Sequence, residues 1–289
     1  MKENRYGYAF IAPAIGLIIL VLGLPMLIVF LTSFTRFKPI FDFTWIGLDN
    51  YLSILSRKEF WIATKNTFVF SIFSVVFHLL LGMGTALLLN RKFKGRKIIR
   101  ILFLLPWLLS YVVGAITWKW MLNGSYGIFN EIILRLGFID SYRAWLGDPS
   151  AAMIFVIVAN VWKQFPFVML MLIAGLQSIP QEQYEAAWMD GANSWKSFLY
   201  VTLPYMKTII IITSTLDFIW SFKQFDLVSV MTGGGPGVST EILSTLVYRT
   251  FYGAFDFGKA SAMGLLLLII VLIVSAFYIR QLFSQSSIE

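Results

Sequence analysis

Six long, predominantly apolar runs separated by short polar stretches set the pattern of this chain. They lie at roughly Tyr8 to Phe34, Asn66 to Leu89, Ile98 to Met121, Ala151 to Leu176, Met206 to Val230 and Ala260 to Tyr278. A helix needs about 20 apolar residues to cross the hydrocarbon core, and each run meets that length. Barrel strands would instead alternate over about 10 residues. The pattern predicts an all-α, polytopic membrane protein of about six transmembrane helices, with 1–289 as one transmembrane domain. The stretches 35–65, 122–150 and 231–259 face one side and are too short for a sizeable extramembrane domain.

Composition strengthens that picture: 58% of residues are hydrophobic and only 13% are charged, with a mean hydropathy of +0.77. These values lie outside the soluble globular range. The N-terminal MKENR resembles the charged start of a signal peptide, but the run behind it is too long and lacks a cleavage site, so the first span is expected to be retained. No cysteine is present, which excludes disulfides and thiolate metal sites. The single histidine, His78, lies inside the second span and is expected to be hydrogen-bonded between helices.

Charge then gives orientation. Arg91, Lys92, Lys94, Arg96, Lys97 and Arg100 crowd the turn between the second and third spans, which places that turn in the cytoplasm. Arg36, Lys38, Arg57, Lys58 and Lys65 follow the first span and argue the other way, but the compact cluster close to span ends carries more weight. By parity both termini and the stretch 178–204 are cytoplasmic. The net charge of +8 is then a topology and lipid-headgroup signal, and no nucleic-acid partner is implied.

Two motifs are decoys. GAFDFGKA (Gly253 to Ala260) nearly fits a phosphate loop, yet Ala260 replaces the hydroxyl residue that would hold magnesium and no strand precedes it. NGS at Asn123 is a triplet that chance supplies often. By contrast, MTGGGPG (Met231 to Gly237) combines glycines free to adopt positive φ with a proline that stops a helix, which predicts a sharp turn.

The polar stretch EQYEAAWMDGANSWKSFLYVTLP (Glu182 to Pro204) lies between two spans. Ser178 and Gln181 fit a capping box with Pro180 in the first turn. Gly191 is placed to end that helix in a left-handed conformation. Asn193 or Ser194 caps a second short helix running to Val201, and Pro204 marks entry into the fifth span. The result is a helical hairpin exposing alanines beside Trp188, Met189 and Phe198. It is either an amphipathic connector in the headgroups or a docking element, and the residues alone leave both open.

At the middle of the bilayer, two helical faces carry polar groups. Asp217, Trp220, Ser221 and Gln224 fall at i, i+3, i+4 and i+7 of the fifth span; Asn160, Lys163, Gln164 and Phe167 repeat that spacing in the fourth. Polar groups at this depth are costly and mark a pathway or site by default. Pro166 should bend the fourth span beside them. Rings beside amides, hydroxyls and carboxylates suit a sugar. An interhelix ion pair is the alternative use of Lys163 and Asp217, and an unpaired Lys163 would favour an acidic sugar or a glycerol phosphate. Lys223 and Asp226 are expected to form a structural pair, and Trp107, Tyr111 and Trp118 to be packing or interfacial anchors. No carboxylate dyad, Ser/His pair or zinc motif points to an enzyme.

EAAWMDGANSWKSFLYVTLP resembles the EAA loop of membrane subunits of binding-protein-dependent ABC importers, at Glu185, Ala186, Ala187, Asp190, Gly191, Leu203 and Pro204. Ser178 to Pro180, Met231 to Pro236 and the WKQFPF of Trp162 to Phe167 resemble further features of the family's carbohydrate, maltose-permease branch, so the likeness covers nearly the whole chain. It implies a type I importer permease fold and alternating access for a carbohydrate, with an oligosaccharide as the expected cargo. It also implies a homologous second permease subunit, two cytoplasmic ATPase subunits that bind the ATP, and an extracytoplasmic solute-binding protein in a bacterial or archaeal cell membrane. The loop would then be the ATPase-coupling element, with Glu185 as polar anchor and the small residues allowing close approach. Substrate contact is implied for Asn160, Lys163, Gln164, Phe167, Asp217, Trp220, Ser221 and Gln224. A stand-alone ion-coupled transporter is the rival reading.

Overall fold

A computed structural model describes residues 2–38 and 42–286. The helices are α1 (Lys2–Ile18), α2 (Leu24–Thr32), α3 (Asp49–Leu55), α4 (Lys58–Asn90), α5 (Arg96–Leu108), α6 (Tyr111–Met121), α7 (Ile128–Arg135), α8 (Ala152–Gln177), α9 (Gln181–Met189), α10 (Ser194–Ser197), α11 (Leu203–Phe222), α12 (Asp226–Met231), α13 (Leu243–Tyr248) and α14 (Phe257–Ser286). Single π-helical turns at Ile19–Gly23, Phe198–Thr202 and Arg249–Gly253 join α1 to α2, α10 to α11, and follow α13. Among the described residues five stretches are long and apolar enough to cross a membrane, and α5 with α6 makes a sixth if that bent pair counts as one span. The all-α membrane fold read from the pattern is therefore present.

Three boundaries differ from the sequence reading. The second span starts at Lys58 rather than Asn66, because Lys65 interrupts the uncharged run without interrupting the helix. The third span is broken: α5 and α6 meet at 94°, with Leu109 and Ser110 extended and the Ser110 hydroxyl accepting from Val113 N–H at 3.2 Å. A serine inside an apolar run reads as tolerated polarity, and here it is an N-cap. The fifth span runs without a break from Ser194 to Phe222: the π turn Phe198–Thr202 carries α10 into α11, and Pro204 falls directly after that turn, within the span rather than at its entry.

The chain divides into two compact units. One is drawn from Met1–Trp61 and Leu246–Ile270. In it β1 (Thr35–Lys38) and β2 (Asp42–Trp45) pair antiparallel, Thr35 opposite Trp45. The buried amide of Asn50 donates to the carbonyls of Ser33 at 2.9 Å and Thr35 at 2.8 Å. The backbone of Thr35 leaves no room for a Cβ at Gly258. Asp256 caps α14 by accepting from Lys259 N–H at 3.1 Å, which accounts for GAFDFGKA without any phosphate. The helix Phe10–Thr32 has no buried residue in its most apolar window.

The other unit is drawn from Ile62–Thr245 and Val271–Glu289 and carries the candidate site. Its centre is α8, against which α5, α6, α11 and α12 pack. Helices in lipid approach closely where small residues meet them. A Cβ on Gly82 of α4 would lie 2.8 Å from Val168 of α8, and one on Gly175 of α8 would lie 2.7 Å from Ile209 of α11. The MTGGGPG turn is sharp as expected: Gly233, Gly234 and Gly237 all have positive φ, and the Asn66 amide donates to the carbonyls of Val238, Ser239 and Glu241. Asn123 caps its own turn, its side-chain oxygen accepting from Ser125 N–H at 2.8 Å.

Candidate functional site

The break between α5 and α6 shapes a cavity of about 400 Å³ beside the middle of α8. It is lined by Trp107 and Tyr111 from either side of the break, Lys163 and Gln164 from α8, Trp220 from α11, and Lys223, Gln224, Phe225 and Asp226 where α11 gives way to α12. Ending α5 at Leu108 frees its last carbonyls from helical bonding. That of Trp107 accepts from the Lys163 ammonium at 2.9 Å, which also lies 4.6 Å from the centre of the Tyr111 ring. The Tyr111 hydroxyl donates to Gln164 Oε1 at 3.0 Å. Phe167 sits between Trp107 and Trp220, with ring centres 6.0 and 4.8 Å away. The cavity therefore offers aromatic faces, fixed amides and carbonyls, and two lysines with one aspartate.

Of the eight residues singled out on the two faces, Lys163, Gln164, Trp220 and Gln224 line this cavity and Phe167 buttresses it. Asn160, Asp217 and Ser221 do not line it; they are buried in the packing behind it. Asp217 Oδ2 is 2.7 Å from Nδ1 of His78 on α4, and Nε2 of the same ring is 3.2 Å from the carbonyl of Asn160 on α8. The expected interhelix role of His78 is therefore met. The ion pair weighed for Lys163 and Asp217 does not form, because each already has another partner. Lys223 and Asp226 also form no ion pair among the described residues; both turn to the cavity. Trp107 and Tyr111, read as packing anchors, are cavity walls, a role that only the break in the third span reveals.

The hairpin forms close to its sequence reading. Gly191 has φ of 80° and closes α9 in a Schellman motif, Ala192 N–H reaching Ala187 O at 2.9 Å and Gly191 N–H reaching Trp188 O at 3.0 Å. Asn193 caps the next turn through Lys196 N–H at 2.9 Å. The capping box expected at Ser178 is absent: its hydroxyl turns back to the Gly175 carbonyl at 2.8 Å and Pro180 takes the N-cap position. Ser178 is two residues too early for the extended backbone an N-cap requires, since it still has helical angles. Glu185, Ala186, Asp190, Gly191 and Pro204 are exposed, whereas Ala187 and Leu203 are half-buried. Trp188 is 58% and Met189 89% exposed beside Glu185, and the Tyr184 hydroxyl and Thr202 Oγ1, 2.9 Å apart, tie α9 to the π turn. A second, larger cavity of about 1200 Å³ lies between this hairpin and the ends of α4 and α8. Its lining is mostly aliphatic and aromatic, without the converging polar groups of the first.

Residues 78–287 match the family described as binding-protein-dependent transport system inner membrane components. The chain is 40% identical to the trehalose/maltose transport system permease of Thermococcus litoralis, over 96% of this chain and 94% of that one. It is 33% identical to the diacetylchitobiose uptake system permease of Streptomyces coelicolor, over 98% of this chain and 88% of that one. Among solved structures, a chain of a bacterial ABC transporter that imports the acidic polysaccharide alginate superposes with a TM-score of 0.85 at 25% identity, covering 98% of this chain and 96% of that one.

Proposed function

The chain belongs to the family of binding-protein-dependent transport system inner membrane components, and from that premise we propose that it is the permease subunit of an ATP-driven importer of a carbohydrate, with an oligosaccharide as cargo. It is a multi-pass membrane transport component. In this reading it pairs with a homologous permease, with two ATPase subunits on the cytoplasmic side and with an external solute-binding protein, and cargo crosses by alternating access. The basic cluster from Arg91 to Arg100 supports a cytoplasmic hairpin and cytoplasmic termini in this reading. The whole of 1–289 then acts as one permease domain.

One observation carries the cargo class. The cavity beside the break in the third span sets the flat faces of Trp107 and Trp220 beside the amides of Gln164 and Gln224. Aromatic faces stack on the C–H faces of a sugar, while amides both give and accept hydrogen bonds from its hydroxyls. Lys163, Gln164, Trp220 and Gln224 contact the cargo in this proposal and Phe167 backs the two tryptophans; Asn160, Asp217 and Ser221 act from behind the wall. The ammonium of Lys163 is directed to a main-chain carbonyl and a ring face, which suits a neutral sugar.

Replacing Trp220 by Ala removes a stacking face worth about 1 kcal/mol or more, so carbohydrate uptake into proteoliposomes holding the full transporter should fall about fivefold or more at low substrate concentration. Gln224→Ala should act in the same direction, with assembly unchanged. Undiminished uptake in both variants would move the site elsewhere. A second reading is an acidic sugar. It is favoured by the absence, among the described residues, of a carboxylate partner for Lys163 and by the lining residue Lys223. Competition by a uronic-acid oligosaccharide that exceeds competition by its neutral counterpart would select it.

A further inference from the structure

The larger cavity, of about 1200 Å³, is walled by the second half of α4, the end of α8 and the hairpin. Its lining on α4 begins at Val76 and reaches Asn90, a distance of about 21 Å at the helical rise. One leaflet, counted from the bilayer centre through its headgroup layer, is about 20–22 Å deep. The groove therefore has the depth of one leaflet. Gly84 thins its wall between Leu80 and Leu87. A Cβ on Gly84 would meet nothing within 4 Å, whereas Gly82 and Gly175 each lie against a neighbouring helix. No other part of the chain uses the space that this glycine opens.

The two ends of the groove differ in chemistry. Val76, Leu79 and Leu80 make the deep end aliphatic, while Asn90 and Arg91 line the other beside the hairpin. Trp188 and Trp195 of the hairpin also line the groove and are 58% and 65% exposed, and tryptophan favours the headgroup level. The side chain of Arg91 makes no hydrogen bond or ion pair among the described residues. Lys92, Lys94, Arg96 and Lys97 follow it, and the lining contains no carboxylate. Ser197 lines the groove too, is only 4% exposed, and its hydroxyl has no partner among the described residues. A buried hydroxyl left unpaired is costly.

We propose that this groove binds one anionic phospholipid of the leaflet that adjoins the basic cluster, with an acyl chain laid along Gly84 and the phosphate held by Arg91 and Ser197. Phosphate and ester oxygens only accept, so they complement both the guanidinium and the unpaired hydroxyl. Basic residues at the mouth of a groove between spans select a negative headgroup. A transmembrane helix of another polypeptide fits less well, because its carbonyls are already bonded within the helix and would leave both groups without an acceptor. Seated there, the lipid fills the space between the hairpin and α4 and becomes part of the hairpin's footing.

The test mixes the purified full chain with dioleoyl phosphatidylglycerol or with dioleoyl phosphatidylcholine, which has the same chains but no net charge, and counts bound lipid by native mass spectrometry. One phosphatidylglycerol should bind about fivefold or more tightly than phosphatidylcholine, and Arg91→Gln should remove most of that preference. Gly84→Phe should fill the groove and weaken binding of both lipids about tenfold. Its apparent Tm should match the parent's, since the added Cβ has free space; Gly84→Leu, a smaller side chain, gives the same readout if the phenyl ring disturbs folding. Equal binding of the two lipids, or binding unchanged by both the Arg91 and Gly84 variants, would overturn the proposal. A photoreactive benzoylphenylalanine in place of Leu80, on the groove wall, should capture lipid in native membranes. Capture of a polypeptide alone would give the groove to a protein partner and overturn it equally. None of these readouts involves carbohydrate or ATP, so they stand or fall separately from the transport reading.

Discussion

Gly191→Val should abolish coupled uptake while leaving the spans folded. At φ of 80° a non-glycine residue costs about 1–2 kcal/mol, and more when β-branched. Here that conformation also closes the two bonds by which Ala192 and Gly191 satisfy the end of α9. The strain would reorient the exposed face that carries Glu185 and Ala186, which the proposed docking to an ATPase subunit requires intact. ATP hydrolysis and uptake, measured together in proteoliposomes, should separate: uptake falls about tenfold or more while hydrolysis persists or the ATPase no longer co-purifies. Glu185→Ala should weaken the same docking without touching the backbone. Normal uptake in both would remove the hairpin from the coupling role.

The second large effect belongs to Gly175. A Cβ there would already lie 2.7 Å from Ile209 and 3.0 Å from the sulfur of Met206, which is fully buried. Gly175→Leu must push α8 and α11 apart, an overpacking cost of about 1–3 kcal/mol or more. The apparent Tm in detergent should drop, and the cavity beside the middle of α8 and the far end of α11 should lose its shape. Ile209→Ala, by opening space opposite, should recover part of the loss. If Gly175→Leu melts with the parent protein, the close approach seen here is not what holds these helices together.

How far the chain could be read in advance depended on whether the signal was periodic or positional. Apolar length exposed the spans, and Gly191 and Asn193 exposed the hairpin because caps obey local rules. The break at Leu109 and Ser110 escaped because one serine in a long apolar run reads as tolerated polarity, and apolar length is the same for a bent span and a straight one. That omission cost the two wall residues Trp107 and Tyr111. The shared-face argument for Asp217, Trp220, Ser221 and Gln224 located the right stretch of α11 but spread the residues over too narrow an arc. Trp220 and Gln224 reach the cavity, while Asp217 turns to α4. His78 and Asp217 could not be paired from spacing at all, since 139 positions separate them.

The right-angled join in the third span has a consequence for descent. The acceptor that holds Lys163 is the main-chain oxygen at position 107, and any residue type at 107 would carry it. Part of the cavity's chemistry is thus transmitted through the shape of the chain rather than through the identity of its letters. Lineages that have drifted far at this position can keep that acceptor as long as they keep the bend, and comparison column by column would record such a site as lost when it is intact.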